Sequence, residues 1–276
     1  MKVVIFAGGY GSRLSEETAL RPKPMVEVGG HPIIWHIMKI YAAYGFRDFV
    51  ILGGYKVEFI KNYFLNYCAI NSDFTVDLRS GKLLWQQARN EDWTVTVLDT
   101  GLETMTAGRL RRARSVIGSE RFLLTYGDGV SDVDLAALIA QHEASGDWVT
   151  LTAVTQPGRY GALALNPEDG PAANRVRAFR EKAVGDGGLI NGGFFVVEPE
   201  VFDLIDGDAS VWEEEPMDRV IERGKLGAYR HTGFWQSMDS LRDKMVLENL
   251  WERGNAPWTR GVRRVGDKVA TLRSVG

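Results

Sequence analysis

The stretch Val3-Val4-Ile5-Phe6-Ala7-Gly8-Gly9-Tyr10-Gly11-Ser12-Arg13-Leu14 decides the fold. Five consecutive apolar residues leave no polar face, the pattern of a strand covered on both sides in a parallel sheet. The glycines after it let backbone N–H groups come close to an anion, because no Cβ stands in the way. Two familiar nucleotide loops fit poorly. A P-loop ends in Gly-Lys-Ser/Thr, which is absent here. A dinucleotide fingerprint needs a third glycine where Leu14 stands and an acid after the second strand, which instead ends Leu52-Gly53-Gly54. The glycines alone therefore fit a tight strand exit as well as a phosphate cradle.

On either side of the next glycines the same alternation repeats. A proline-started helix follows His31-Pro32, with Ile34, Ile37, Tyr41 and Tyr44 at helical spacing and Gly45 at its end. Strands are expected at Asp48 to Leu52, Thr94 to Leu98 and Arg121 to Tyr126, and helices at Val57 to Tyr67 and Asp132 to Ser145. Beyond these, strands are expected at Trp148 to Gln156, Gly161 to Leu165, Arg175 to Arg180 and Ile190 to Val197, joined by short turns, then helices at Glu213 to Glu222 and Ser240 to Arg253. The pattern implies a single α/β, Rossmann-like domain with a mostly parallel mixed central sheet flanked by helices and a β-rich second half. Ligands of such sheets sit beyond the carboxyl ends of the strands.

Composition narrows the function classes. The chain has 276 residues, 45% hydrophobic and 25% charged, enough for a core without disulfide or metal staples. A net charge of −3 argues against a protein that coats nucleic acid. No apolar run reaches the roughly 18 residues of a membrane span, and the N-terminal run is too short for a signal-peptide core. With one cysteine and no Asn-x-Ser/Thr site, a cytoplasmic location is expected. The four histidines are scattered without zinc spacing, and Cys68 reads as a small core residue.

The polar residues near the glycine loop carry more information. Arg21-Pro22-Lys23-Pro24 brackets one lysine between two prolines, which fix its backbone and are expected to hold it extended. Asp128 follows an apolar strand and lies between Gly127 and Gly129, placed either for a metal or for a turn. Asp239 precedes a helix and is a natural N-cap. Asn191-Gly192 reads as a turn, though the asparagine amide can both donate and accept. Arg109, Arg111, Arg112 and Arg114 share a helical stretch that contains no acid. A solvated face explains most of them, with Arg109 and Arg111 kept as anion ligands.

The motifs Gly8-Gly9-Tyr10-Gly11-Ser12-Arg13-Leu14 and Lys23-Pro24 resemble the signature of the sugar-1-phosphate nucleotidylyltransferases. The strings L-S-E-E-T, K-P-M-V-E-V-G-G-H-P-I-I-W-H-I-M-K, W-T-V-T-V-L-D-T-G, M-T-A-G-R-L, L-L-T-Y-G-D-G-V, I-N-G-G-F-F-V, W-E-E-E-P and G-F-W-Q-S-M-D resemble its cytidylyl branch, which acts on glucose 1-phosphate. The resemblance covers about residues 1 to 258. It implies a nucleotidyltransferase domain of GT-A-like type, with residues 1–147 binding nucleotide and 148–258 binding sugar phosphate. It further implies transfer of a nucleotidyl group from CTP to glucose 1-phosphate, with Mg²⁺ as cofactor and a homo-oligomeric assembly.

Residue by residue, the resemblance puts Gly8, Gly9, Gly11 and Ser12 around the nucleotide, with Arg13 on the β/γ-phosphates and Lys23 at the α-phosphate. Thr106, Gly108, Arg109 and Arg111 would read the base and nearby phosphate. Glu181 and Asn191 would hold sugar hydroxyls, Lys182 the sugar phosphate, and Asp128 and Asp239 the metal. The chain departs from the family pattern at Ala107, where the family has glycine, and at Ala183, where it has proline. Another nucleotide (UTP or dTTP) or another sugar or cyclitol phosphate would use the same chemistry. A Rossmann oxidoreductase would need the missing acid and glycine, and a non-catalytic sugar-nucleotide sensor would need a broken catalytic set. The basic stretch 259–276 lies outside the resemblance.

Overall fold

The computed structural model describes residues 1–11, 14–18, 20–86, 90–155, 162–165, 175–180 and 188–259. The first half runs β1 (Val3–Ala7), α1 (Ser15–Thr18), β2 (Glu27–Val28), β3 (His31–Pro32), α2 (Ile33–Ala43), β4 (Asp48–Gly53), α3 (Val57–Leu65) and α4 (Tyr67–Asn71). It continues through β5 (Asp73–Asp77), β6 (Lys82–Gln86), β7 (Thr94–Asp99), α5 (Thr106–Arg112), α6 (Arg114–Ile117), β8 (Phe122–Tyr126), β9 (Gly129–Ser131) and α7 (Leu135–Ser145). The second half comprises β10 (Val149–Thr155), β11 (Ala162–Leu165), β12 (Val176–Arg180), β13 (Leu189–Val197), α8 (Glu215–Glu222), β14 (Leu226–Arg230), β15 (Trp235–Ser237) and α9 (Leu241–Glu252).

Among the described residues a nine-stranded sheet orders β12-β11-β13-β8-β1-β4-β7, with β10 pairing β13 and β14. β1 is central and parallel to both β4 and β8, and β7 is parallel to β4. Its alternating side chains feed two separate cores. Val3, Ile5 and Ala7 pack with α2 residues such as Ile34, Ile37 and Tyr41. Val4 and Phe6 pack on the other face with Leu110, Ala113 and Trp212. Both faces being covered is why the run is apolar throughout, and each large side chain so buried contributes roughly 1.5–3 kcal/mol.

The parallel register aligns the strand exits. Ala7 lies beside Gly53, Gly53 beside Asp99, and Phe6 beside Tyr126. The loops after β1, β4, β7 and β8 therefore share one edge. The antiparallel pairing of β8 with β13 carries the same sheet into the second half without a break.

Several local expectations change. The prolines around Lys23 do not hold it extended: Lys23–Met25 form a one-turn 3-10 helix after Pro22. The helix expected over Val57 to Tyr67 breaks at Asn66, whose side-chain amide donates to Asn62 O at 2.8 Å and competes with the helix ladder. The α7 cap is Asp134, whose Oδ1 accepts the Ala137 N–H at 3.0 Å. Cys68 is exposed rather than a core residue, because α4 carries no buried side chain. The β5–β6 hairpin and β14 lie outside the strands read from the sequence: β5 alternates apolar and polar residues, but over only five positions.

Candidate active site

The exit of β1 meets the exits of its neighbours around one cation. Arg109, buried on α5, spreads its guanidinium over the loop carbonyls of Gly8, Gly53, Gly101 and Leu102 and the Thr100 hydroxyl, at 2.6–3.2 Å. Desolvation, and then the nearby Arg112 charge, lower its pKa. Arg109 is thus the clip that holds three strand exits together, and Gly8 and Gly54 lie against it with no room for a side chain. Gly11 has φ +65°, and a Cβ there would stand 2.7 Å from Thr18 Cγ2. Thr18 Oγ1 donates to Gly11 O at 3.1 Å and ties the loop to α1.

Lys23 packs against Gly11 of this loop and is only 9% exposed. Its ammonium donates to Asp128 Oδ2 at 2.7 Å and to Asp239 Oδ1 at 2.6 Å. Burial disfavours the ammonium, but the two carboxylates outweigh it and raise its pKa above the ordinary lysine value. The two aspartates are far apart in the chain. A two-stranded sheet joins them, with Gly129 beside Ser237 and Met238 N donating to Asp128 O at 2.8 Å.

Asp239 is not the α9 cap. Ser240 takes that place in a capping box with Asp243, whose carboxylate also accepts the Asp239 N–H at 3.2 Å. The Asp239 carboxylate is thereby left to accept from Lys23 and, at 3.0 Å, from the Ser237 hydroxyl. Two carboxylates converging on one cation position form a hard-oxygen donor set. It suits a divalent cation such as Mg²⁺, which takes one or two carboxylates plus phosphate oxygens and water. Among the described residues no cluster of three or more His, Cys, Asp or Glu offers another metal site.

A second polar group stands beside the first. Asn191 lies inside β13 rather than in a turn, opposite Ala153. Its Oδ1 accepts the Gly193 N–H at 2.8 Å and its Nδ2 donates to the Tyr126 hydroxyl at 3.3 Å. Tyr126 donates to Glu213, which also receives the Thr106 hydroxyl at 3.4 Å. The backbone N–H groups of Ala107 and Gly108 donate to Ser210 O at 3.0 and 3.2 Å. Ala107 is helical and carries no positive φ, so alanine there brings no strain.

Lys23, Asp128 and Asp239 thus come together with Lys23 packed against Gly11, while Thr106 and Asn191 meet through Tyr126 and Glu213. Arg111 is exposed, and two residues along a helix turn it about 200° from Arg109. The acids near this arginine row come from the segment after β13: Arg112 pairs with Asp208, and Arg114 with Asp203 of the 3-10 helix Pro199–Leu204. Ser12, Arg13, Glu181, Lys182 and the stretch 260–276 lie outside the described residues. Tyr126 and Glu213 had no assigned role in the sequence, although both stand inside quoted motifs, L-L-T-Y-G-D-G-V and W-E-E-E-P.

The chain is similar over nearly all its length to known proteins. Glucose-1-phosphate cytidylyltransferase of Salmonella typhimurium is 54% identical over 259 residues, covering 94% of this chain and 98% of that protein. The probable glucose-1-phosphate cytidylyltransferase of Bacillus subtilis is 42% identical, covering 94% and 99%. The crystal structure of HddC from Yersinia pseudotuberculosis shares the fold with a TM-score of 0.71 at 20% identity, covering 91% of this chain and 99% of that one. The Nucleotidyl transferase profile matches residues 2–224, and the chain belongs to that family.

Proposed function

We propose that the protein transfers a cytidylyl group from CTP to α-D-glucose 1-phosphate, releasing pyrophosphate and forming CDP-glucose. The observation that carries the chemistry is the convergence of Lys23, Asp128 and Asp239 beside the β1 glycine loop. The choice of CTP and glucose 1-phosphate rests on the relatives' activity over almost the whole chain. The attacking sugar phosphate is already a nucleophile near neutral pH, so the site needs positioning and charge neutralisation more than a base.

In this reading Asp128 and Asp239 hold Mg²⁺, which when bound supplies positive charge to the phosphate oxygens. Gly8, Gly9, Gly11 and Ser12 cradle the nucleotide with backbone N–H groups. Arg13 neutralises the leaving pyrophosphate, and Lys23, kept protonated by its carboxylates, offers charge to the α-phosphate. Thr106, Gly108 and Arg109 make the nucleotide side, with Arg109 acting through the loops it clips, while Arg111, turned away on the same helix, takes no part. Glu181 and Asn191 bind sugar hydroxyls and Lys182 the sugar phosphate. Residues 1–147 serve the nucleotide and 148–258 the sugar phosphate, on one continuous sheet. The nucleoside triphosphate requirement puts the activity in the cytoplasm.

The protein works as a homo-oligomer. The β5–β6 register puts Phe74, Val76, Leu83 and Trp85 on one face of the hairpin, and all four are exposed. A lone hairpin is marginal in water, so this face needs a cover. It lies near in sequence to a groove of about 490 Å³ lined by Phe64, Leu65, Tyr67 and Trp93 together with Lys61 and Glu91. A second copy of the chain supplies the matching surface.

The test is product identity by mass spectrometry with CTP, UTP, dTTP and GTP in competition and glucose 1-phosphate as acceptor. CDP-glucose as the main product is expected. A different nucleotide sugar would overturn the base assignment, and no product at all would overturn the activity.

A further inference from the structure

The run Trp212-Glu213-Glu214-Glu215-Pro216 receives no role from the chemistry above. Glu213 is only partly exposed. Desolvation raises its carboxyl pKa despite the hydroxyls that donate to it. Among the described residues its hydrogen-bond partners are the hydroxyls of Tyr126 and Thr106 rather than a cation. Keeping an acid in such a place costs stability, and a glutamine would fill the same volume without charge.

The hydrogen bonds have fixed directions. A carboxylate only accepts, so Tyr126 gives its single proton to Glu213 and its oxygen is left to accept. Asn191 must then present Nδ2 to Tyr126, as it does at 3.3 Å. At the other end the Gly193 N–H requires Oδ1, met at 2.8 Å. An amide has two donors and two acceptor lone pairs, so one of each remains for a ligand, in one defined orientation.

We propose that Glu213 is a positioning residue: by taking the Tyr126 proton it leaves the Tyr126 oxygen to accept from Asn191 Nδ2, and so holds in place the amide whose sense the Gly193 N–H sets and which offers its remaining donor and acceptor to the sugar hydroxyls. This rests on the proposed sugar-binding role of Asn191. The polar chain from Thr106 through Glu213 and Tyr126 to Asn191 also joins the nucleotide side to the sugar side.

Tyr126→Phe removes the link and keeps the ring, and Glu213→Gln keeps the volume and adds a donor. Both variants are expected to raise KM for glucose 1-phosphate about tenfold, the worth of one hydrogen bond to a substrate, with KM for CTP within about twofold. In ¹H–¹⁵N spectra of the full chain both are expected to shift the Asn191 side-chain NH₂ pair. Melting temperature checks that each variant folds, and Tyr126→Phe keeps the proposal testable if Glu213→Gln does not. A wild-type sugar KM together with an unchanged Asn191 pair in Glu213→Gln overturns the proposal. So does an equal rise in both KM values, which is the mark of general loosening. Wild-type protein without turnover would instead sink the proposed function, while the amide spectrum, read without turnover, still judges the network.

Discussion

The guanidinium of Arg109 fills the space that a side chain at Gly8 would need, while the neighbouring Gly9 faces open space. The two glycines therefore answer to different constraints. Gly8→Ala is expected to destabilise the fold by about 1–3 kcal/mol, the usual cost of overpacking, and to lower kcat/KM. Gly9→Ala is expected to leave the melting temperature nearly unchanged. Thermal unfolding of the two variants side by side checks this, and equal shifts would contradict it.

Lys23 neutralises two carboxylates and is proposed to face the α-phosphate. Lys23→Ala is expected to cut pyrophosphate release by at least about a hundredfold, in the range for loss of one preorganised charge donor. Far-UV circular dichroism should show the fold retained. Turnover within a fewfold of wild type would refute the role.

The capping box that relieves Asp239 of capping duty gives a separable pair of effects. Ser240→Ala is expected to cost about 1 kcal/mol of stability. Asp243→Ala also removes the acceptor for the Asp239 N–H and is expected to lower activity more than Ser240→Ala does. Denaturant midpoints and metal-dependent turnover, measured on both variants, distinguish the effects.

His36 gives a pH dependence with a clear sign. Its Nε2 bonds Val28 O at 2.8 Å, and Trp258 Nε1 donates to its Nδ1 at 3.2 Å. Carbonyl and indole fix the neutral form with the proton on Nε2. Burial lowers its pKa from 6.5 to about 4. Between those values the unfolded chain binds a proton that the folded chain refuses. Stability from this group is therefore full above about pH 6.5 and falls as pH drops toward 4, by about 3 kcal/mol in all. Urea midpoints from pH 7.5 to 4.5 should fall more steeply for wild type than for His36→Gln. Parallel curves would rule out His36 as the source.

Phe74→Asp and Trp85→Ser place polar groups on the exposed hairpin face. Each is expected to shift the assembly toward monomer in sedimentation velocity, with the monomer's secondary structure kept. Wild-type protein that sediments as a monomer would refute the interface.

The layout of the fold was legible because the strands around β1 are buried on both faces and carry unmixed apolar runs. Val3–Ala7 and Asp48–Gly53 fall within a residue of their expected bounds. The hairpin β5–β6 was not legible, since its apolar residues mix with charges at a surface that lacks a core. At the site, Lys23, Asp128 and Asp239 could be named from motifs. What sequence could not supply was which residue caps α9, because Asp239 and Ser240 are both good caps and only the Asp243 contact separates them. Nor could it supply what anchors the Asn191 amide nitrogen, which rests on a tyrosine and a glutamate from distant segments.

The short pairing of β9 with β15 has an evolutionary corollary. Met238 is wholly buried in the core, and the next residue, Asp239, reaches Lys23. Extended chain presents successive side chains to opposite sides. A single-residue insertion or deletion between Phe234 and Asp239 would exchange them, aiming a thioether at the ammonium and driving a carboxylate into the apolar interior. This segment should accept substitutions yet reject changes of length, and its sequence drift should be read as a reading frame anchored at both ends.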